Sequence, residues 1–210
     1  SFGAVTIERH GNEEQRREFL PKIASGEVHF ALSLTEPDGG TDILGAMKTV
    51  AVEDGDSYVI NGAKVFTTGI NIASWLFVVA RTARDPDRPS RGLTVFLVHK
   101  DTPGVSWNKI EKLGSRFLHS YEVIYRNVRV SKSAIIGQEG RGWHAILDTL
   151  NNERIFIAAT CVGLGQGALE DAVQYAQERK AFGKTIGQFQ AVQHPLADSL
   201  TEIEMARLMT

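Results

Sequence analysis

Eight consecutive residues, Thr35-Glu36-Pro37-Asp38-Gly39-Gly40-Thr41-Asp42, bring hydroxyls, carboxylates and glycines together directly after an apolar run from Val28 to Leu34. Thr35 and Thr41 place hydroxyls at the two ends, each able to donate and accept. Pro37 stops a strand, because it lacks the N–H a ladder needs. Gly39 and Gly40 permit positive φ and close backbone approach. A loop of this kind exposes several backbone N–H groups in one concavity, which suits a polar, flat or anionic ligand. The same composition also fits a plain turn between strands.

Two further stretches could carry chemistry. Arg154 falls on the helical series 147, 150, 154, 157, 161, which is otherwise apolar. A charge there is costly unless it is paired inside a bundle or faces a cavity. Glu153 beside it fits a general base, since burial would raise its pKa, and fits a surface acid equally well. Arg179-Lys180-Ala181-Phe182-Gly183-Lys184-Thr185 offers a guanidinium fork matched to a pyrophosphate, or a cation at a helix end. Gly183-Lys184-Thr185 is not a phosphate loop, because Glu178 stands where that motif needs glycine. Gly163-Leu164-Gly165-Gln166-Gly167 follows no strand, so it reads as helix packing and not as a dinucleotide fingerprint.

The 210 residues are 42% hydrophobic, enough for one domain or one domain and part of another. A net charge of -2 gives no basic surplus for nucleic acid. A single cysteine, Cys161, excludes an internal disulfide and fits a reducing compartment, the cytoplasm or a mitochondrial matrix. No apolar run is long enough to span a bilayer. Both ends fall inside helical patterns, as expected of a piece of a longer chain.

The elements that must hold these residues follow from periodicity and punctuation. Residues 1–10 are predicted helical. Asn12 caps a second helix with acids in its first turn and Pro21 as a local disturbance. Strands are predicted over Val28–Leu34, Lys48–Glu53, Tyr58–Lys64, Trp75–Thr82, Leu93–His99 and Tyr121–Val130, with turns at Asp54-Gly55-Asp56 and Asn61-Gly62. Short strands without intervening helices point to an antiparallel barrel or sandwich. From Trp143 to about Arg179 no proline occurs and apolar residues recur at helical spacing, so one long helix is expected. Another begins near Gln188, with Pro195 predicting a kink or a late start.

Thr35-Glu36-Pro37-Asp38-Gly39-Gly40-Thr41-Asp42 resembles the flavin-binding loop of the acyl-CoA dehydrogenase family, T-E-P-x-A-G-S-D, with Thr41 in place of the usual Ser. Residues 11–27 are similar to the family's G-N-E-E-Q-R-x-x-x-L-P-x-x-A-S-G-E. Lys64-Val65-Phe66-Thr67-Thr68-Gly69 resembles K-x-[WYF]-I-T-N, with Thr67 and Gly69 departing from it. Arg179 to Gln190 resembles R-x-x-F-G-x-x-[IL]-x-x-[FH]-Q. The resemblance implies an α+β chain: the tail of an N-terminal helical domain (1–26), an antiparallel β-barrel flavin and substrate domain (27–136), and the start of a C-terminal helical bundle (137–210).

It also implies a cofactor, FAD, because no side chain can accept a hydride. Leu32, Leu34, Thr35, Thr41, Phe66 and Thr68 would hold it, while Arg179, Phe182, Phe189 and Gln190 would reach the FAD of a neighbouring copy. Thr41 and Arg154 would line the acyl-CoA. Glu153, or a glutamate beyond residue 210, would take the α-proton while the β-hydride passes to flavin N5. Electrons would leave to an electron-transfer flavoprotein from a homodimer or homotetramer. A flavin oxidase or monooxygenase of the same fold, and a non-catalytic or inactive fragment, are the alternatives; no metal is expected.

Overall fold

The computed structural model describes residues 2–210; Ser1 lies outside them. They form two compact units that divide between Thr149 and Leu150.

The first unit opens with α1 (Phe2–His10) and α2 (Glu13–Ala24). Asn12 caps α2 through a reciprocal pair: its side chain accepts from the Gln15 N–H, and the Gln15 side chain accepts from the Asn12 N–H. The buried Gln15 amide also donates to the carbonyls of Ser133 and Ile135, which ties α2 to the sheet. Phe19 packs edge-on against Phe30 and Trp75.

The sheet holds β1 (Phe30–Ser33), β2 (Val50–Asp54), β3 (Ser57–Thr68), β4 (Trp75–Arg81), β5 (Leu93–His99), β6 (Val105–Ile110), β7 (Ser120–Ser131) and β8 (Ile135–Ile136). Its order is β6-β7-β3-β2-β4-β5-β8, with β1 paired to β4. The α+β class is as expected. The ladder is an open path among the described residues, and it is not purely antiparallel. β1 runs parallel to β4, and β2 meets β4 in parallel at Val50 and Arg81. Phe77 to Ala80 and Leu93 to Val98 are buried without alternation, the pattern of strands covered on both faces. One core joins both parts of the sheet, with Tyr58, Ile60, Leu76, Val78, Phe96 and Tyr125 all nearly or wholly buried.

Two strands of this sheet escape the sequence pattern. β6 is an edge strand with Ser106 to Lys109 exposed, so it shows no apolar alternation. β8 is only two residues long. Asp54-Gly55-Asp56 turns as expected, with β2 and β3 pairing from Asp54 and Ser57 and Gly55 at φ +61°. Asn61-Gly62 does not turn. It lies inside β3 at a register irregularity opposite β7, with Gly62 at φ +156°.

The second unit contains most of α4 (Gly142–Glu178), a hairpin of β9 (Lys180–Ala181) and β10 (Lys184–Thr185), and α5 (Gln190–Met209). Pro195 sits inside α5 without delaying its start. Gly165 bears out the packing role of the glycine stretch, because a Cβ there would touch Ile203 of α5 at 3.4 Å; Gly163 and Gly167 face open space.

Gly62 offers a direct test of the β3 irregularity. A Cβ at this position would overlap Thr49, and φ +156° disfavours any side chain. Gly62→Ala should therefore lower stability by about 1–3 kcal/mol in urea denaturation. An unchanged midpoint and slope would show that the strand has room there.

Candidate functional site

The loop after β1 is organised from beneath. Glu36 turns inward, and its carboxylate accepts from the Lys48 N–H at 2.6 Å, the Thr49 N–H at 2.9 Å and Lys64 Nζ at 2.8 Å. Lys64 is 0% exposed, and its ammonium also donates to the Leu34 carbonyl at 2.9 Å. Burial draws Lys64 down to about 8, against the pull of Glu36. Burial would raise Glu36, but the Lys64 charge and the hydrogen bonds outweigh it and hold the carboxyl below its usual range. Both groups are therefore charged at neutral pH.

Sequence reasoning passed over this pair. Its signal was available: Tyr58, Ile60 and Lys64 share one face of a strand at period two, and a lysine on that face needs a buried partner.

Gly39 and Gly40 contribute less than their composition promised. Neither adopts positive φ. Gly39 is needed for clearance, since a Cβ would lie 2.6 Å from that of Ala46, whereas Gly40 faces open space. Asp42 accepts from the Gly45 N–H and caps the single turn α3 (Ile43–Ala46). Buried Arg81 holds that turn by donating to the Leu44 carbonyl at 2.8 Å.

The end of β3 meets this loop through one backbone bond, from the Val65 N–H to the Thr35 carbonyl at 2.8 Å. Between Lys64 and Thr67 the pairing with β7 slips, which places Phe66 at φ +57° and leaves the residue 59% exposed. Positive φ is uncommon for a bulky residue and marks a held conformation. Thr67, where the family pattern has Ile, turns inward. Its hydroxyl meets Ser33 Oγ at 3.1 Å, which in turn accepts from Tyr125 at 2.7 Å. Thr68 faces outward and pairs with Ser120 Oγ at 2.8 Å.

Leu34, Thr35, Phe66 and Thr68 are thus gathered on two adjoining segments. Leu32 lies half-buried on β1 opposite Phe77. Thr41 is exposed on the far part of the loop and shares no hydrogen bond with the others.

The remaining candidates lie in the second unit. Phe182 and Gly183 turn the β9–β10 hairpin with φ of +50° and +80°, the double positive-φ geometry of a tight two-residue hairpin. Phe182 is 96% exposed. Its ring stands edge-on to Phe189 at 6.3 Å, and Lys184 Nζ lies 4.3 Å from the centre of the Phe189 ring. The Ile186 N–H closes the loop on the Arg179 carbonyl at 2.8 Å, and Gln190 starts α5. Arg179, Phe182, Phe189 and Gln190 therefore share one hairpin and the helix start after it.

Glu153 is half-buried on α4, and burial raises its pKa against the influence of Arg154. Arg154 is exposed and bonds to Asn151, and Ile157 on the same stripe is half exposed. A groove of about 610 Å³ between α4 and α5 is lined by Cys161, Leu169, Leu196 and Ile203 among others and contains none of the candidate residues. Among the described residues no cluster of metal ligands occurs, and no helix is long and apolar enough to cross a membrane.

Comparison with known proteins covers almost the whole chain. Residues 31–128 match the model of the acyl-CoA dehydrogenase middle domain, and residues 140–210 match that of the C-terminal domain. A cyclohex-1-ene-1-carbonyl-CoA dehydrogenase of Geobacter metallireducens is 41% identical over 99% of this chain and 54% of its own length. The crystal structure of an acyl-CoA dehydrogenase from Geobacillus kaustophilus aligns with a TM-score of 0.92 at 34% identity, over 97% of this chain and 53% of that one. A solved structure described as the electron transferring flavoprotein of Acidaminococcus fermentans aligns at 0.91 and 38% identity, over 98% and 53%. The chain spans about half the length of these relatives.

The Glu36–Lys64 pair predicts a stability profile. Glu36 has a native pKa below 4.5, so its contribution is complete above pH 4.5 and is lost as pH falls through that native value. Lys64 has a native pKa of about 8 against 10.5, so stability should rise from pH 8 to 10.5 as the buried ammonium gives up its proton. Chemical denaturation across this range should show both limbs in the parent protein and a flatter acid limb in Glu36→Gln. Superimposable acid limbs would mean that the pair carries no pH-dependent stability.

Proposed function

Because the chain belongs to the acyl-CoA dehydrogenase family, we propose that the complete protein desaturates an acyl-CoA thioester between Cα and Cβ with FAD as cofactor. The observation that carries this reading is the junction of the two loops. The Val65–Thr35 bond holds them side by side, and the strained Phe66 presents its ring outward beside them.

The residues fit a flavin. Among the described residues the Thr35 N–H has no protein partner, Phe66 offers an aromatic face, and Thr68 offers a hydroxyl. Leu32, Leu34, Thr35, Phe66 and Thr68 would bind the ring, and Thr41 would lie near the substrate and the pyrophosphate. FAD, when bound, supplies the two-electron acceptor that no side chain can provide.

The chain's own residues handle the proton and the position. The carboxylate of Glu153 takes the α-proton of the thioester, and its burial-raised pKa makes it a better match to a neutral-pH transfer. Arg154 lines the acyl-CoA. Arg179, Phe182, Phe189 and Gln190 form a projecting hairpin and helix start suited to a second copy's cofactor, which requires at least a dimer. Residues 27–136 would form the flavin and substrate domain, residues 1–26 the end of a helical domain before it, and residues 137–210 the start of a helical bundle. Electrons would pass to an electron-transfer flavoprotein, in keeping with the Acidaminococcus structure. The single cysteine agrees with a reducing compartment, cytoplasm or mitochondrial matrix.

The complete protein should be yellow with FAD and should bleach anaerobically on adding an acyl-CoA. Glu153→Gln should keep its flavin and lose at least about 100-fold in kcat. Undiminished turnover in that variant would move the base to a residue beyond 210. A protein that takes up no FAD on reconstitution would overturn the reading as a whole.

A further inference from the structure

We propose that Lys64 is a positioning residue for the cofactor, acting through the Leu34–Thr35 peptide. Its buried ammonium holds the Leu34 carbonyl inward, so that the Thr35 N–H is turned outward as a fixed donor for the polar edge of the flavin. This rests on the reading that the loop binds FAD.

The geometry carries it. A trans peptide is planar, with its C=O and N–H pointing in opposite directions. Lys64 Nζ fixes the Leu34 oxygen at 2.9 Å from the protein interior. The N–H on the other side of that peptide belongs to Thr35, which is half-exposed. The next peptide is fixed as well, because the Thr35 carbonyl accepts from the Val65 N–H at 2.8 Å. Both carbonyls that bracket this N–H are therefore tied down, and among the described residues the N–H itself has no protein partner.

Glu36 has a different part. It accepts from Lys64, but also from two backbone N–H groups, and it makes no hydrogen bond to the Leu34–Thr35 peptide. It keeps the ammonium in place by balancing its charge. The two residues of one ion pair should thus separate: both matter for stability, but only Lys64 aims the donor. A donor that needs no reorganisation when the ligand arrives binds and polarises more strongly than a mobile one.

The test uses the complete protein reconstituted with FAD. Glu36→Gln leaves the bond from Lys64 to Leu34 and strands a buried cation. It should lower the melting temperature while FAD affinity stays within about threefold and the visible flavin spectrum is unchanged. The double variant Glu36→Gln/Lys64→Met removes both charges and the Leu34 anchor. It should recover part of the melting temperature, weaken FAD binding about tenfold, the equivalent of one hydrogen bond, and shift both the flavin spectrum and its midpoint potential. A folded double variant with parental affinity, spectrum and potential would overturn the proposal, as would affinity that simply follows melting temperature across the set. Should the double variant not fold, amide exchange in the parent decides. The Thr35 N–H should exchange fast without FAD and be protected with it, and equal exchange in both states would overturn the proposal. Failure of the parent to bind FAD would instead remove the functional reading on which it rests.

Discussion

An ammonium group shut away from water governs the organisation of the first unit. Lys64 is 0% exposed, and its charge is balanced by Glu36 at 2.8 Å and solvated by the Leu34 carbonyl at 2.9 Å. Removing one partner of such a pair typically costs about 3–5 kcal/mol, because the other is left buried and uncompensated. The constraint propagates outward. Glu36 collects the N–H groups of Lys48 and Thr49, which fixes the start of the segment leading into β2. Lys64 fixes the end of β1 and the approach to the irregularity in β3. The loop after β1 and the end of β3 are thus tied together through Lys64, and the Val65–Thr35 backbone bond joins them a second time.

The second unit uses backbone conformation in place of buried charge. Phe182 and Gly183 both take positive φ, so the hairpin can close in two residues and leave the Phe182 ring projecting. Phe66 is also an aromatic held at positive φ. In each case the chain accepts local strain, of order 1–3 kcal/mol, to present a flat apolar surface outward. Strain of this kind persists only where neighbours over-determine it. Phe66 is bracketed by the Val65–Thr35 bond and the Thr68–Ser120 pair, and Phe182 by the β9–β10 pairing.

Much of this was legible in the sequence. Short β-type runs bounded by turns located β3, β4, β5 and β7, Asn12 with the acids after it marked the start of α2, and the proline-free stretch gave α4. The family of the chain followed from ordered motifs. What escaped has physical causes. The exposed edge strand β6 buries too little to leave a pattern. Asn61-Gly62 has the composition of a turn, but tertiary pairing with β7 carries the strand through it. The glycines of the first loop promised positive φ, and only Gly39 is used, for clearance. Helical spacing put Arg154 on the apolar stripe of α4, but spacing reports which face a residue occupies and not what covers that face. The Glu36–Lys64 pair was half legible: a lysine on the buried face of β3 calls for a partner, but which acid answers, 28 residues away, only the fold shows.

On the reading proposed above, the two segments joined by the Val65–Thr35 bond make one flavin-binding face. A crystal structure of the complete protein grown with FAD tests it most directly. The isoalloxazine ring is expected against Thr35, Phe66 and Thr68, with the Lys64–Glu36 pair intact beneath. A ring bound elsewhere, with those three residues facing solvent, would contradict it.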